Sequence, residues 1–223
     1  MKVHKVVILC LILLGFLNSC NKDVTPPDAG YGYFPTKIGN WIIYDVVSIE
    51  HDAPVNKHDT SIIQIKEVIE SIFFDNEHRE TQRIERYTRN NDTQPWVIKD
   101  VWSSNLTAST AEKDEENVRF IKLTFPVKKG KTWDGNASNS LDVWNYQYTE
   151  VNVPYTINNL SFDSTVTVLQ IDEENIVEKK HALEIYAKNV GMIYKELILL
   201  DTEIDGTITI GSELTMTIIS YGN

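Results

Sequence analysis

Asp201-Thr202-Glu203-Ile204-Asp205-Gly206 sets three acids at alternate positions ahead of a glycine, the pattern in which oxygen ligands and a Gly-enabled bend wrap a calcium ion. Ile208 stands where such loops carry an apolar residue, but the twelfth position is Ser212 and not a bidentate glutamate. The flanks Glu196–Leu200 and Thr207–Ile210 read as strands, and Asp205-Gly206 is itself a two-residue hairpin signal. The segment is therefore expected to be a hairpin turn, with calcium on Asp201, Glu203 and Asp205 as the competing reading. His51, His58, His78 and His181 lack the spacing of a zinc site, although His51-Asp52 and His58-Asp59 bracket one loop. Asp114-Glu115-Glu116-Asn117 and Asp172-Glu173-Glu174-Asn175 read as solvated loops, or as a joint cation site should the fold unite them. Gly-x-Ser-x-Gly and phosphate-cradling glycine loops are both missing. No catalytic residue, metal ligand or cofactor is assigned on these grounds. A hydrolase stays as an alternative, because a carboxylate pair among 32 acids is recognisable only by geometry. Trp144, Tyr146 and Tyr148 share one face of a strand, as core or cavity wall or, alternatively, as an exposed platform for sugar rings.

Composition narrows the partners. The 223 residues carry 21 Lys+Arg against 32 Asp+Glu, a net charge of −11, which is the wrong sign for neutralising phosphates and argues against nucleic acid. Two cysteines, Cys10 and Cys20, exclude a disulfide-dense scaffold and a cysteine-based zinc site.

The N-terminus has a character of its own. Lys2 and Lys5 precede an apolar run over Val6–Leu17, which has the charge and length of a secretory signal and is short of the roughly 20 residues of a bilayer span. It closes on Leu17-Asn18-Ser19-Cys20, which resembles the bacterial lipobox. That resemblance implies cleavage after residue 19, a diacylglyceryl group on the Cys20 thiol and an acylated new amino terminus. Each acyl chain adds about 0.8 kcal/mol per buried CH₂, so three chains would anchor the protein firmly to a membrane. Losing residues 1–19 removes Lys2 and Lys5 and leaves 19 basic against 32 acidic residues, a net charge of −13, with Cys20 as the sole cysteine. Asn21 stands where an aspartate would favour inner-membrane retention, which leans toward the outer membrane. Lys22-Asp23 faintly resembles a surface-export signal, so the periplasmic and outer faces both stay open. Residues 20–30, with Pro26-Pro27, read as a tether to a domain over 31–223.

The elements that must position these residues are strands. Runs rich in Val, Ile, Thr and aromatics, separated by Asn, Asp, Gly or Pro, predict about ten antiparallel strands in a barrel-like or sandwich domain. Ile63, Ile65, Ile69 and Phe73 share one parity, and Gln64, Lys66 and Glu70 the other, as in a sheet with one wet face. Residues 176–188 contain enough Glu, Lys and Ala for a helix, yet are read as strand. An internal repeat supports that reading. Phe34-Pro35-Thr36-Lys37-Ile38-Gly39-Asn40-Trp41 returns as Phe125-Pro126-Val127-Lys128-Lys129-Gly130-Lys131-Thr132-Trp133. Ile84–Asn90 matches Leu183–Asn189, and Val97–Val101 matches Ile193–Leu197. The matches keep their order, which suggests similar halves near 31–124 and 125–223. In the Phe-Pro-x-Lys-x-Gly turn, Pro fixes φ and Gly permits φ > 0, giving a bend that delivers a Trp into the next strand.

At Tyr33–Tyr44 and Tyr186–Glu196 the chain resembles uncharacterised Bacteroidetes envelope lipoproteins, whose Phe-Pro-x-Lys-x-Gly-x-x-Trp-x-Tyr opening follows the lipidated cysteine. The resemblance spans most of 31–200 and brings no catalytic residues. It implies a β-rich lipoprotein, similar in architecture to half-barrel chaperones that hold acyl chains. Asp163-Ser164-Thr165 resembles the O-glycosylation signal of the same group. The function expected is non-enzymatic binding of an apolar ligand or an envelope partner by a protein anchored through Cys20. A glycan-binding accessory lipoprotein is the alternative.

Overall fold

The computed structural model describes residues 27–223. The strands are β1 (Trp41–Asp52), β2 (Lys57–Phe74), β3 (Glu80–Arg89), β4 (Val97–Leu106), β5 (Thr110–Glu115), β6 (Val118–Thr124), β7 (Thr132–Asp134), β8 (Asn145–Ile157), β9 (Leu160–Glu174), β10 (Glu178–Ala187), β11 (Gly191–Thr202) and β12 (Ile208–Gly222). Their order in the single sheet is β6-β5-β4-β3-β2-β1-β12-β11-β10-β9-β8-β7, every neighbouring pair antiparallel. Two six-stranded meanders are thus joined along the β1–β12 ladder, from Trp41 opposite Gly222 to Asp52 opposite Ile210. The free edges, β6 and β7, meet without a ladder. The Ile121 N–H donates to the Gly135 carbonyl at 2.9 Å, and the Trp133 indole N–H donates to the Ile121 carbonyl at 2.9 Å. Curling the sheet until its edges meet leaves a nearly closed barrel and hides the unpaired backbone that an open sheet would present.

The all-β, antiparallel architecture is the one expected, with 178–187 a strand and two more strands than the ten anticipated. The additions are β7, which is only three residues long, and β5, whose Thr-Ala-Glu-Lys-Asp-Glu sequence has the composition of a loop. The alternation along β2 holds at Ile65, which is buried. A bulge between Ile69 and Ser71 then interrupts the alternation, and beyond it Ile72, Phe73 and Phe74 are all exposed, Phe73 to 43%. Both Phe-Pro turns work as read: Gly39 and Gly130 have φ of 91° and 82°, and they precede Trp41 at the start of β1 and Trp133 in β7. The repeat's matched segments fall on β1 and β7, β3 and β10, and β4 and β11. One strand separates the first two matches in the first half and two separate them in the second, so the later matches do not occupy equivalent steps of the meander.

Because strand direction alternates, the turns sort onto two ends. The proximal end, where β1 begins, carries the turns at 75–79, 107–109, 125–131, 158–159 and 188–190. The segment 27–40 lies across it. Val127 N–H bonds to the Ala29 carbonyl at 2.9 Å, Asn189 N–H to the Gly32 carbonyl at 2.6 Å, and the Tyr31 hydroxyl to the Ala108 carbonyl at 3.0 Å. Tyr33 and Phe34 from this segment plug the barrel, buried with Leu123, Phe125, Tyr148, Val166, Val168 and Tyr186. Side chains of this size contribute about 1.5–3 kcal/mol each on burial. A second cluster gathers Tyr44, Val46, Ile65, Ile193, Met216 and Ile218. Against it packs the β8–β9 hairpin through Tyr155, Ile157, Leu160 and Phe162, pinned by an Asn158 amide donating to the Ile218 carbonyl at 3.0 Å.

Candidate functional site

The barrel interior holds charged side chains at positions that its ladders align. Glu67 on β2 lies opposite Arg86 on β3, which lies opposite Asp100 on β4. Arg86 donates to Glu67 at 3.0 Å and to both Asp100 oxygens at 3.0 Å, and its guanidinium lies 3.4 Å from the centre of the Trp102 ring. The Lys113 ammonium reaches Glu67 at 2.8 Å. Burial raises the Glu67 pKa, but Lys113 and Arg86 more than reverse this and hold it below the ordinary carboxylate value.

A second group lies beside the first. Lys122 contacts Glu184 at 2.5 Å and Glu115 at 3.3 Å; Lys195 contacts Glu115 at 3.4 Å and Glu184 at 3.5 Å. Lys122 is 3% and Glu184 0% exposed, and the Tyr186 hydroxyl donates to Glu184 at 2.5 Å. Burial opposes charge on Lys122, Glu115 and Glu184. Lys122 and Lys195 nevertheless carry Glu115 and Glu184 below the ordinary range, while Glu115 and Glu184 carry Lys122 above its own. The result is a square of two cations and two anions with no net charge.

This square is the floor between two cavities, both of which Glu115 and Lys122 line. The proximal one holds about 80 Å³ between Phe34, Trp41, Ile42, Tyr44 and Met192. The distal one is an open cleft of about 460 Å³, within the range of small-ligand sites. Phe120 on β6, Leu197 and Leu199 on β11, and Leu141 and Trp144 from the 135–144 loop form its walls. Tyr146, Gln170, Lys180, Lys195, Asn136 and Asp142 supply polar groups. Burial and then Glu184 push the Tyr146 hydroxyl well above its ordinary pKa, so it stays protonated and remains a donor. Exposed apolar side chains stand on the distal turns: Leu141, which also lines the cleft, and Val143, Ile176, Val177 and Ile204. The loop that carries Leu141 and Trp144 is tied back by Asn136, whose amide donates to the Asp142 carbonyl at 2.6 Å.

The residues singled out in the sequence fall as follows. Asp201–Gly206 is the β11–β12 hairpin connection, with Glu203 N–H bonded to the Thr207 carbonyl at 2.8 Å and Gly206 at φ 87°. Among the described residues, no group of three His, Cys, Asp or Glu side chains is placed to hold a metal ion. His51 and His58 face each other across the β1–β2 hairpin, their Nδ1 atoms 3.0 Å apart, with Glu213 on the far side of His51 at 2.8 Å. The Asp172–Asn175 cluster is solvent-exposed as expected, but Asp172, Glu173 and Glu174 end β9, paired with His181, Lys180 and Lys179, and only Asn175 lies in the turn. The other acidic cluster corrects the loop reading: Asp114 and Glu115 end β5, Asp114 bonded to Arg119 and Glu115 to Lys122 and Lys195 inside the barrel. Tyr146 and Tyr148 are buried, at 2% and 0% exposure; Trp144 and Tyr146 border the cleft and Tyr148 does not, so no coplanar exposed platform forms. Ser164 hydrogen-bonds to Tyr33 and Asn152, and Thr165 is buried. Cys20 and the signal-like run lie outside the described residues. Reading the sequence missed Glu67, Arg86, Lys113, Lys122 and Glu184. The available signal was a charge standing on the apolar parity of its strand: Ile84 and Arg86, Ala111 and Lys113, Phe120 and Lys122, Ala182 and Glu184.

Fold and site together define a twelve-stranded antiparallel barrel with an ionic floor and an apolar-walled cleft at one end. No protein-family model matches the chain, and no curated protein is similar to it. Among solved structures the chain is similar to a "putative lipoprotein" from Parabacteroides distasonis, at 10% identity and a TM-score of 0.39, over 84% of this chain and 98% of that one. A likeness this weak carries no argument about function.

Proposed function

We propose that this chain is a lipid-anchored protein of the bacterial cell envelope, held at the outer membrane through an acylated Cys20, whose barrel binds an apolar ligand in the distal cleft. The observation that carries the binding reading is the cleft itself: about 460 Å³ of open space whose walls are Phe120, Leu141, Trp144, Leu197 and Leu199. A site built mostly of apolar walls with a few converging polar groups is the usual form of a small-ligand pocket. The anchoring reading rests on the Leu17-Asn18-Ser19-Cys20 sequence. Residues 27–40 lie across the proximal end, whereas the cleft is lined from the distal half of the barrel.

Two measurements test this. In cells, wild-type protein should sediment with membranes and carry the mass of a lipid on Cys20, whereas Cys20→Ser should be released; a membrane-bound, unmodified Cys20→Ser chain would defeat the anchor. For the cleft, N-phenyl-1-naphthylamine should bind the lipid-free Cys20→Ser full chain with saturable fluorescence enhancement and micromolar affinity, on the order of −8 kcal/mol. Leu199→Asp, which puts a charge in the wall, should weaken binding at least tenfold while the far-UV circular dichroism stays that of a β protein. Equal binding by both chains would defeat the cleft as the site.

A further inference from the structure

Gln170 projects from β9 into the distal cleft, is 5% exposed, and its side-chain nitrogen is buried without a hydrogen-bond partner. A buried donor left unsatisfied is costly, and native structures retain few of them, so its position at the base of an open cleft calls for an acceptor supplied from outside. Tyr146, held protonated beside it in the same cleft, is a second donor.

The charges around the cleft decide what kind of acceptor. Lys122 and Lys195 are matched by Glu115 and Glu184, so the floor offers no net positive charge. At the rim, Lys180 is bound to Glu178 at 2.6 Å, and Asp142 lines the same mouth. An anionic head group placed here would lose its hydration without gaining an unpaired cation, whereas a neutral carbonyl needs only the donors present. Above them, Leu197, Leu199 and Leu141 are aliphatic walls suited to a hydrocarbon chain. On the reading of the cleft as a ligand site, the geometry points to an uncharged, single-chain acyl amphiphile as the ligand class, its amide or ester carbonyl accepting from Gln170 and its chain lying along β11.

The test compares dodecanamide with dodecanoate as displacers of N-phenyl-1-naphthylamine from the Cys20→Ser full chain at pH 7.5. Dodecanamide is expected to bind at least tenfold more tightly, although the two share one hydrocarbon chain. Gln170→Leu should weaken dodecanamide about tenfold and leave dodecanoate unchanged, and Trp144→Ala, at the half-exposed mouth, should weaken both alike. Dodecanoate binding as tightly as dodecanamide would overturn the head-group assignment while leaving the apolar cleft standing; so would an undiminished amide affinity in Gln170→Leu. Failure of the naphthylamine probe and both acyl compounds to bind would overturn the cleft reading on which the assignment rests. The comparison of two probes in the unsubstituted cleft decides the matter even if Gln170→Leu does not fold.

Discussion

Lys122→Met is expected to lower the unfolding free energy by about 3–5 kcal/mol, the usual cost of breaking a buried ion pair by removing one partner. Lys122 lies inside the barrel between Glu184 at 2.5 Å and Glu115 at 3.3 Å, and Glu184 is fully buried. Without the ammonium, two carboxylates share Lys195 alone, at 3.4 and 3.5 Å. Lys122→Met/Glu184→Leu should recover most of the loss, because it removes the orphaned charge and leaves Glu115 paired with Lys195. Apolar replacement of a whole buried pair is often neutral or stabilising. Urea unfolding of the wild type, the two single variants and the double variant measures this as a coupling energy. Simple additivity of the single losses would show that the square is not an energetic unit.

Acid should unfold the protein steeply. Burial raises the carboxyls of Glu67, Glu115 and Glu184, but the lysines and arginine beside them bring all three below their ordinary value in the folded state. Their contribution to stability is therefore complete above the unfolded-chain value of about 4.3 and is lost as pH falls through the folded values. Below that point, three carboxylates that take up protons on unfolding give a slope of up to about 4 kcal/mol per pH unit. Lys122 has the opposite sign. Its folded pKa is raised, so its contribution is fully present below about 10.4 and is lost only as pH rises through the folded value. The urea midpoint is expected to be nearly level from pH 5 to pH 10 and to collapse below pH 4.5. A midpoint that held steady down to pH 3 would mean that the interior carboxylates are not ionised in the fold.

The strands were legible because a β-rich chain advertises itself through Val, Ile, Thr and aromatic runs between turn residues, and the two Phe-Pro turns because proline and a φ > 0 glycine leave few conformations. The interior was not. Thr110–Glu115 reads as loop since four of its six residues are charged, and what makes it a buried strand is pairing with Arg79, Glu67, Lys122 and Lys195 from distant parts of the chain. Charges opposite one another across a barrel compensate each other only once the barrel exists; in the sequence they show only as a charge on the apolar parity of a strand, which does not name its partner. The cleft was hidden for a related reason. Leu197 and Leu199 look like ordinary strand residues, and only the 135–144 loop, held by Asn136, keeps the opposite wall far enough away to leave space. Tyr146 and Tyr148 show the converse, since their alternation was plain but only packing against Trp133 and the Tyr33–Phe34 plug makes them core.

The most direct measurement is a crystal structure of the Cys20→Ser full chain grown with dodecanamide. Ligand density is expected in the distal cleft, with the hydrocarbon chain between Leu197, Leu199 and Leu141 and the carbonyl oxygen about 3 Å from the Gln170 side-chain nitrogen. Density confined to the barrel exterior or to the proximal cavity, with the distal cleft holding only water, would contradict it.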